Sequence, residues 1–152
     1  MKVPYHRVDP LPGYAKVFSG KPIYLPLPTI VVRHQNRKRK LLALVDSGAD
    51  ACLFPRDVAE ILGINVTAGR RADLTGIGGN RIPFFFHEIE ILFGRYQVRT
   101  QAGFAKGSIG TTGLLGQKGF FDQFAISFHC QDGFFEIRKP NLLDRLKSKL
   151  PP

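Results

Sequence analysis

The chain has 152 residues, 43% of them hydrophobic, with thirteen Phe, four Tyr and no Trp. That is one domain's length and enough apolar surface to build a core. No run of 18 apolar residues occurs, and Met1-Lys2-Val3-Pro4-Tyr5-His6 lacks the apolar stretch of a secretory signal, so a cytoplasmic protein without a membrane-spanning helix is expected.

Part of the formal charge of +10 is concentrated in Arg33-His34-Gln35-Asn36-Arg37-Lys38-Arg39-Lys40 and at the C-terminus. Such blocks suit a nucleic-acid or acidic partner, and equally a solvated hairpin tip and a solvated helix face. The block has no interleaved aromatics, which weakens a single-strand-binding reading. Cys52 and Cys130 stand alone, with neither CxxC spacing nor a nearby His, and read as reduced thiols. A disulfide between them stays open at this level.

In chain order, residues 1–22 carry four prolines and two glycines and read as an extended arm with little regular structure. Ile23 to His34 is apolar and β-branched, and the basic block around Asn36 has the look of a hairpin turn. Leu41-Leu42-Ala43-Leu44-Val45 is strand length rather than helix length, and reads as a buried strand. Ala51 to Phe54 forms another short strand. Pro55 opens a helix over Arg56–Leu62 and Gly63 closes it. Residues 64–75 are expected to hold a further strand. Ile82, Phe84 and Phe86 alternate, then Ile89, Ile91 and Phe93 alternate in the opposite phase, which predicts a long strand with a bulge. Gly94-Arg95 turns into a strand through Phe104. Phe120 and Phe121 fall on an expected short helix. Asp132-Gly133 turns a hairpin between Phe124–His129 and Phe134–Arg138. Leu143, Leu146 and Leu150 set helical spacing over Leu142 to Leu150. The fold class is all-β, a closed barrel or sandwich with short helices. The expected organisation is an arm (1–22), a domain (23–139) and a helical tail (140–152).

Asp46-Ser47-Gly48 directly follows the buried strand. A carboxylate there sits at the edge of the core, partly desolvated. Ser47 can hold a nearby backbone group, and Gly48 lets another chain approach closely. The same three residue types are also favoured in ordinary turns. Competing chemistries find less support. Ser47 has no Gly-x-Ser-x-Gly elbow around it. Gly76-x-Gly78-Gly79 lacks the Gly-Lys-Ser/Thr ending of a phosphate loop. The four histidines are scattered without metal-ligand spacing.

Leu41-Leu-Ala-Leu-Val-Asp-Ser-Gly-Ala-Asp50 resembles the active-site signature of the retropepsin-like aspartic proteases. Gly76-Ile77-Gly78-Gly79 resembles that family's flap tip, and Leu114-Leu115-Gly116 its apolar-apolar-Gly motif. All three fall in the family's order, and the resemblance spans roughly residues 25–138. It implies that Asp46 is catalytic and that Ser47, Gly48 and Ala49 form the active-site loop. Ser47 would lock two such loops together across a dimer. Asp50, Gly76, Ile77, Gly78, Gly79 and Leu114 would bind substrate. Where some relatives carry Arg after the Gly, this chain has Gln117 and Lys118, which leaves Lys118 or Arg7 as the expected partner of Asp50. With one such motif per chain and two carboxylates needed, the implication is a homodimeric endopeptidase acting on peptides through a shared-proton pair, with no metal or organic cofactor. A second reading is a non-proteolytic binding or dimerisation module of the same fold, engaging an acidic or nucleic-acid partner.

Overall fold

The computed structural model describes residues 1–17, 19–76, 78–107 and 110–141. Strands run Lys2–Pro4 (β1), His6–Val8 (β2), Ile23–Leu25 (β3), Thr29–His34 (β4), Arg37–Val45 (β5), Leu53–Phe54 (β6), Arg70–Thr75 (β7), Arg81–Phe93 (β8), Tyr96–Ala105 (β9), Gly113–Leu115 (β10), Ala125–His129 (β11) and Phe134–Arg138 (β12). Helices are Pro12–Val17 (α1) and Arg56–Leu62 (α2), with a 3-10 turn at Val66–Ala68. The chain is mostly strand, as its turn-rich, β-branched sequence requires. It divides into two compact units, Thr29–Gln123 and the flanking residues on either side.

The Thr29–Gln123 unit is one sheet in the order β4-β5-β10-β6-β9-β8-β7. Because β4 also pairs with β8, six of these strands close into a ring and β7 stands outside it. The ring's interior holds Ile30, Val32, Ala43, Val45, Ile91, Phe104 and Leu115, all buried. Phe54 and Phe104 meet at 5.8 Å between ring centroids, and Phe93 meets Phe120 at 6.2 Å. Helix α2 buries Val58, Ala59 and Leu62 and ends at Gly63, whose φ of 69° is a conformation suited to glycine.

The phase change in β8 is not a bulge. Its pairing with β9 is unbroken from Phe84↔Ala105 to Phe93↔Tyr96. The two halves of the strand instead bury opposite faces. Ile89, Ile91 and Phe93 point into the ring beside β4, while Phe84 packs with Ala51, Leu53 and Ala105 on the other face. A strand covered on alternate sides at its two ends needs apolar residues that switch parity, with no extra residue.

Other local expectations shift. Residues 66–68 are a 3-10 turn, so the expected strand of 64–75 begins at Arg70. Ala51 makes only an isolated bridge, to Lys118, and regular pairing starts at Leu53. Phe120 and Phe121 sit on successive turns rather than a helix. Gly119 at φ 98° takes the chain out of helical geometry, and the Asp122 carboxylate accepts its N–H at 3.0 Å.

The flanking unit corrects the expectation of a structureless arm. β1 pairs antiparallel with β12, and β12 with β11; β2 pairs with β3. Pro4 is tolerated because β1 is an edge strand, and Pro12 because it opens α1. The Met1 ammonium donates to Ile137 O at 2.6 Å, and Lys2 lies 3.7 Å over the Phe134 ring. The expected helix over Leu142 to Leu150 lies outside the described residues.

The basic block forms the tip of the β4–β5 hairpin, with Arg37, Lys38, Arg39 and Lys40 exposed and Arg33 paired with Glu90. No helix among the described residues is long and apolar enough to cross a membrane.

Both cysteines are free. Burial pushes the Cys52 thiol up to about 12, whereas Cys130 is exposed. We expect a thiol reagent at pH 8 to modify Cys130 in the folded protein and Cys52 only after unfolding. As pH rises from 9 towards 12, the unfolded chain loses the Cys52 proton first. Stability therefore falls with pH across that window, at up to about 1.4 kcal/mol per pH unit. The slope of stability against pH in Cys52→Ala, from urea unfolding, checks it: an unchanged slope would remove Cys52 as the cause.

Candidate active site

β5 runs into the Asp46 turn as a buried strand, and β10 lies parallel beside it with Ala43, Leu44 and Val45 opposite Gly113, Leu114 and Leu115. The turn is therefore hung from a second strand. Asp46 N–H donates to Leu115 O at 3.1 Å, and Ala49 N–H to Asp46 O at 3.3 Å. Gln117 N–H reaches Ala49 O at 2.8 Å and Lys118 N–H reaches Asp50 O at 2.9 Å. The backbone of 115–118 thus braces the whole turn from one side.

Gly116 makes that bracing possible. A Cβ there would lie 2.3 Å from Ala51 O and 2.6 Å from Ala49 O. Only a residue without a side chain lets the two backbones come so close.

Asp46 is half-buried, while Ser47, Gly48 and Asp50 are exposed or nearly so. The Asp46 carboxylate accepts the Gly48 N–H at 2.9 Å through Oδ1. The carboxylate is thereby oriented by its own turn. Asp46 follows β5 in phase with Leu44, on the face that Leu44 shares with Leu114 and, through β6, with Leu53. That face continues into the apolar cluster of Ala51, Leu53, Phe84 and Ala105, with Leu74, Ile82, Phe86 and Leu114 packed on it half-buried. Asp46 stands where β5 leaves this apolar floor.

β7 and β8 form a hairpin closed by residues 76–80, with Thr75 opposite Arg81. Gly79 N–H donates to Gly76 O at 3.1 Å, and Gly78 and Gly79 take φ of 119° and 77°. A non-glycine residue at either position would be strained. Ile77 lies outside the described residues.

A family model described as an aspartyl protease matches residues 31–118, more than half of the chain. The chain belongs to the aspartyl protease family. A retropepsin-like aspartic protease from Rickettsia conorii shares its fold at a TM-score of 0.58, with 15% identity over 91% of this chain and 97% of that one. The protease of EIAV, solved with the inhibitor HBY-793, is similar at a TM-score of 0.47 and 21% identity, over 61% of this chain and 82% of that one. No curated protein matches the sequence. The all-β, retropepsin-like fold expected from the sequence therefore stands.

The structure brings Asp46, Ser47, Gly48, Ala49 and Asp50 into one turn beside Leu114, and sets Gly76, Gly78 and Gly79 at the tip of the β7–β8 hairpin. Lys118 meets Asp50 through backbone alone, Arg7 pairs with Asp9 at 3.2 Å, and no ion pair forms at the Asp50 carboxylate among the described residues. The sequence reading missed the side chain of Gln117, whose Nε2 donates to Ser47 O at 2.7 Å. A lone exposed Gln carries no signal of such a contact in sequence.

Proposed function

We propose that this chain is an aspartic endopeptidase that works as a homodimer, each copy supplying one Asp46 carboxylate. The observation that carries the reading is the oriented Asp46 carboxylate at the end of an apolar floor, with a single such acid per chain. Two carboxylates held together cannot both ionise, so the pair shares a proton. The ionised member takes a proton from water as it attacks the peptide carbonyl. The protonated member polarises the carbonyl oxygen, and a tetrahedral intermediate forms without a covalent enzyme adduct. The apparent pKa values belong to the pair. Ser47, exposed beside Asp46, would meet its counterpart across the two-fold axis; Asp50, the glycines of the β7–β8 hairpin and Ile77 would hold the substrate backbone. Leu114 and its apolar neighbours favour apolar side chains flanking the scissile bond.

Digestion of a mixed peptide library between about pH 4 and 7 tests the reading. The expected result is cleavage next to apolar residues, blocked by a transition-state inhibitor of aspartic proteases. Absence of cleavage from a sample shown to be dimeric would favour a binding module of the same fold, and turnover that peaks only above pH 9 would contradict a shared-proton pair.

A further inference from the structure

Most bonds that fix the active-site turn are backbone to backbone, but one is supplied by a side chain from outside the turn. Gln117 Nε2 donates to the Ser47 carbonyl at 2.7 Å. That carbonyl can only accept, so the amino end of the Gln117 amide must be the end that faces it. The Ser47 C=O and the Gly48 N–H belong to one peptide group, which is planar and rigid. The far side of the same group is the N–H that donates to Asp46 Oδ1 at 2.9 Å. Gln117 and the catalytic carboxylate therefore hold opposite ends of a single plate.

Resting on the protease reading above, we propose that Gln117 is a positioning residue: through the Ser47–Gly48 peptide it sets the N–H that orients the Asp46 carboxylate. A bond accepted at the carbonyl fixes the tilt of the plate and polarises its N–H, so that N–H becomes a better donor. Gln117 is itself anchored, since its backbone N–H donates to Ala49 O, inside the turn it clamps. Removal of the side-chain donor frees the plate to swing. The carboxylate loses orientation in the transition state, while the apolar floor that binds side chains is untouched. The effect falls on kcat rather than KM. Gln117 is exposed, so water competes for the carbonyl and the loss is moderate.

Two variants decide it. Gln117→Leu keeps the bulk and has no donor. Gln117→Glu keeps the shape, and donates to Ser47 O only when protonated. For Gln117→Leu we expect kcat lower by about three- to tenfold with KM within about twofold. The Gly48 amide proton resonance should shift upfield and exchange faster. For Gln117→Glu, the ratio of variant to wild-type kcat should rise as pH falls through the ordinary Glu range near ~4.3. An unmoved Gly48 resonance in Gln117→Leu, or an equal loss at every pH in Gln117→Glu, would overturn the proposal and leave Gln117 a plain brace. A wild-type chain that cleaves nothing would remove the protease reading; the Gly48 resonance alone then decides the clamp.

Discussion

Asp46→Asn should lower peptide cleavage by about three orders of magnitude or more while the folded chain and its association stay intact. The magnitude follows from what the substitution removes. A dimer of Asp46→Asn chains has no carboxylate to accept the proton of water and none to donate to the carbonyl, and such proton transfers contribute about 10²–10⁴ in rate. The fold should survive for a geometric reason. The Asn side-chain oxygen can still accept the Gly48 N–H that Asp46 accepts at 2.9 Å, and the backbone bond from position 46 to Leu115 O is unaffected. Relief of charge repulsion between two acids would if anything favour association. Turnover of a fluorogenic peptide, the thermal midpoint and the sedimentation coefficient are the readouts. Retention of more than about a hundredth of wild-type kcat would rule Asp46 out as the general base.

Gly116→Ala should be among the most damaging single methyl additions in the chain. The new Cβ would sit 2.3 Å from Ala51 O, 2.6 Å from Ala49 O and 2.6 Å from Ala51 C. All three are backbone atoms, so no side chain can rotate out of the way. Either the 49–51 backbone or the 115–118 backbone must move, and the bonds from Gln117 to Ala49 and from Lys118 to Asp50 go with it. A loss of about 3 kcal/mol or more is expected, from overpacking together with broken backbone bonds. For a chain of this size that lowers the thermal midpoint by roughly 6–12 °C. Activity should fall further than stability, because the displaced backbone braces the turn that carries Asp46. Gly107→Ala is the control: a Cβ at Gly107 meets nothing within 4 Å. A Gly116→Ala midpoint within about 2 °C of wild type would show that the two backbones can separate at little cost.

Local chemistry was legible where it is set by neighbours in the chain. Helix Arg56–Leu62 lies between a Pro and a Gly that act on adjacent peptide groups, and its bounds agree with the sequence reading. The buried run ending at Val45 is a strand, followed at once by the acid turn. The hairpin turns at Gln35-Asn36, Gly94-Arg95 and Asp132-Gly133 also stand where their residues suggest. Long-range pairing was not legible. Nothing in Lys2-Val3-Pro4 announces that Glu136, Phe135 and Phe134 lie opposite it. The parity switch in β8 looked like a bulge because a single strand read alone cannot show which face its neighbours cover.

The sequence by itself determined the all-β character, the family, the acid that ends β5 and the glycines that its loops need, since each follows from residue types at short spacing. The tertiary structure decided what those residues do to one another. It closed the sheet by pairing β4 with β8, brought Leu114 to Leu44, and set Gly116 against Ala49 and Ala51. It also put the amide of Gln117 on the peptide that holds Asp46. The physical reason is distance along the chain. Gln117 and Ser47 are 70 residues apart, and a hydrogen bond of 2.7 Å between them exists only once two strands have docked in one register.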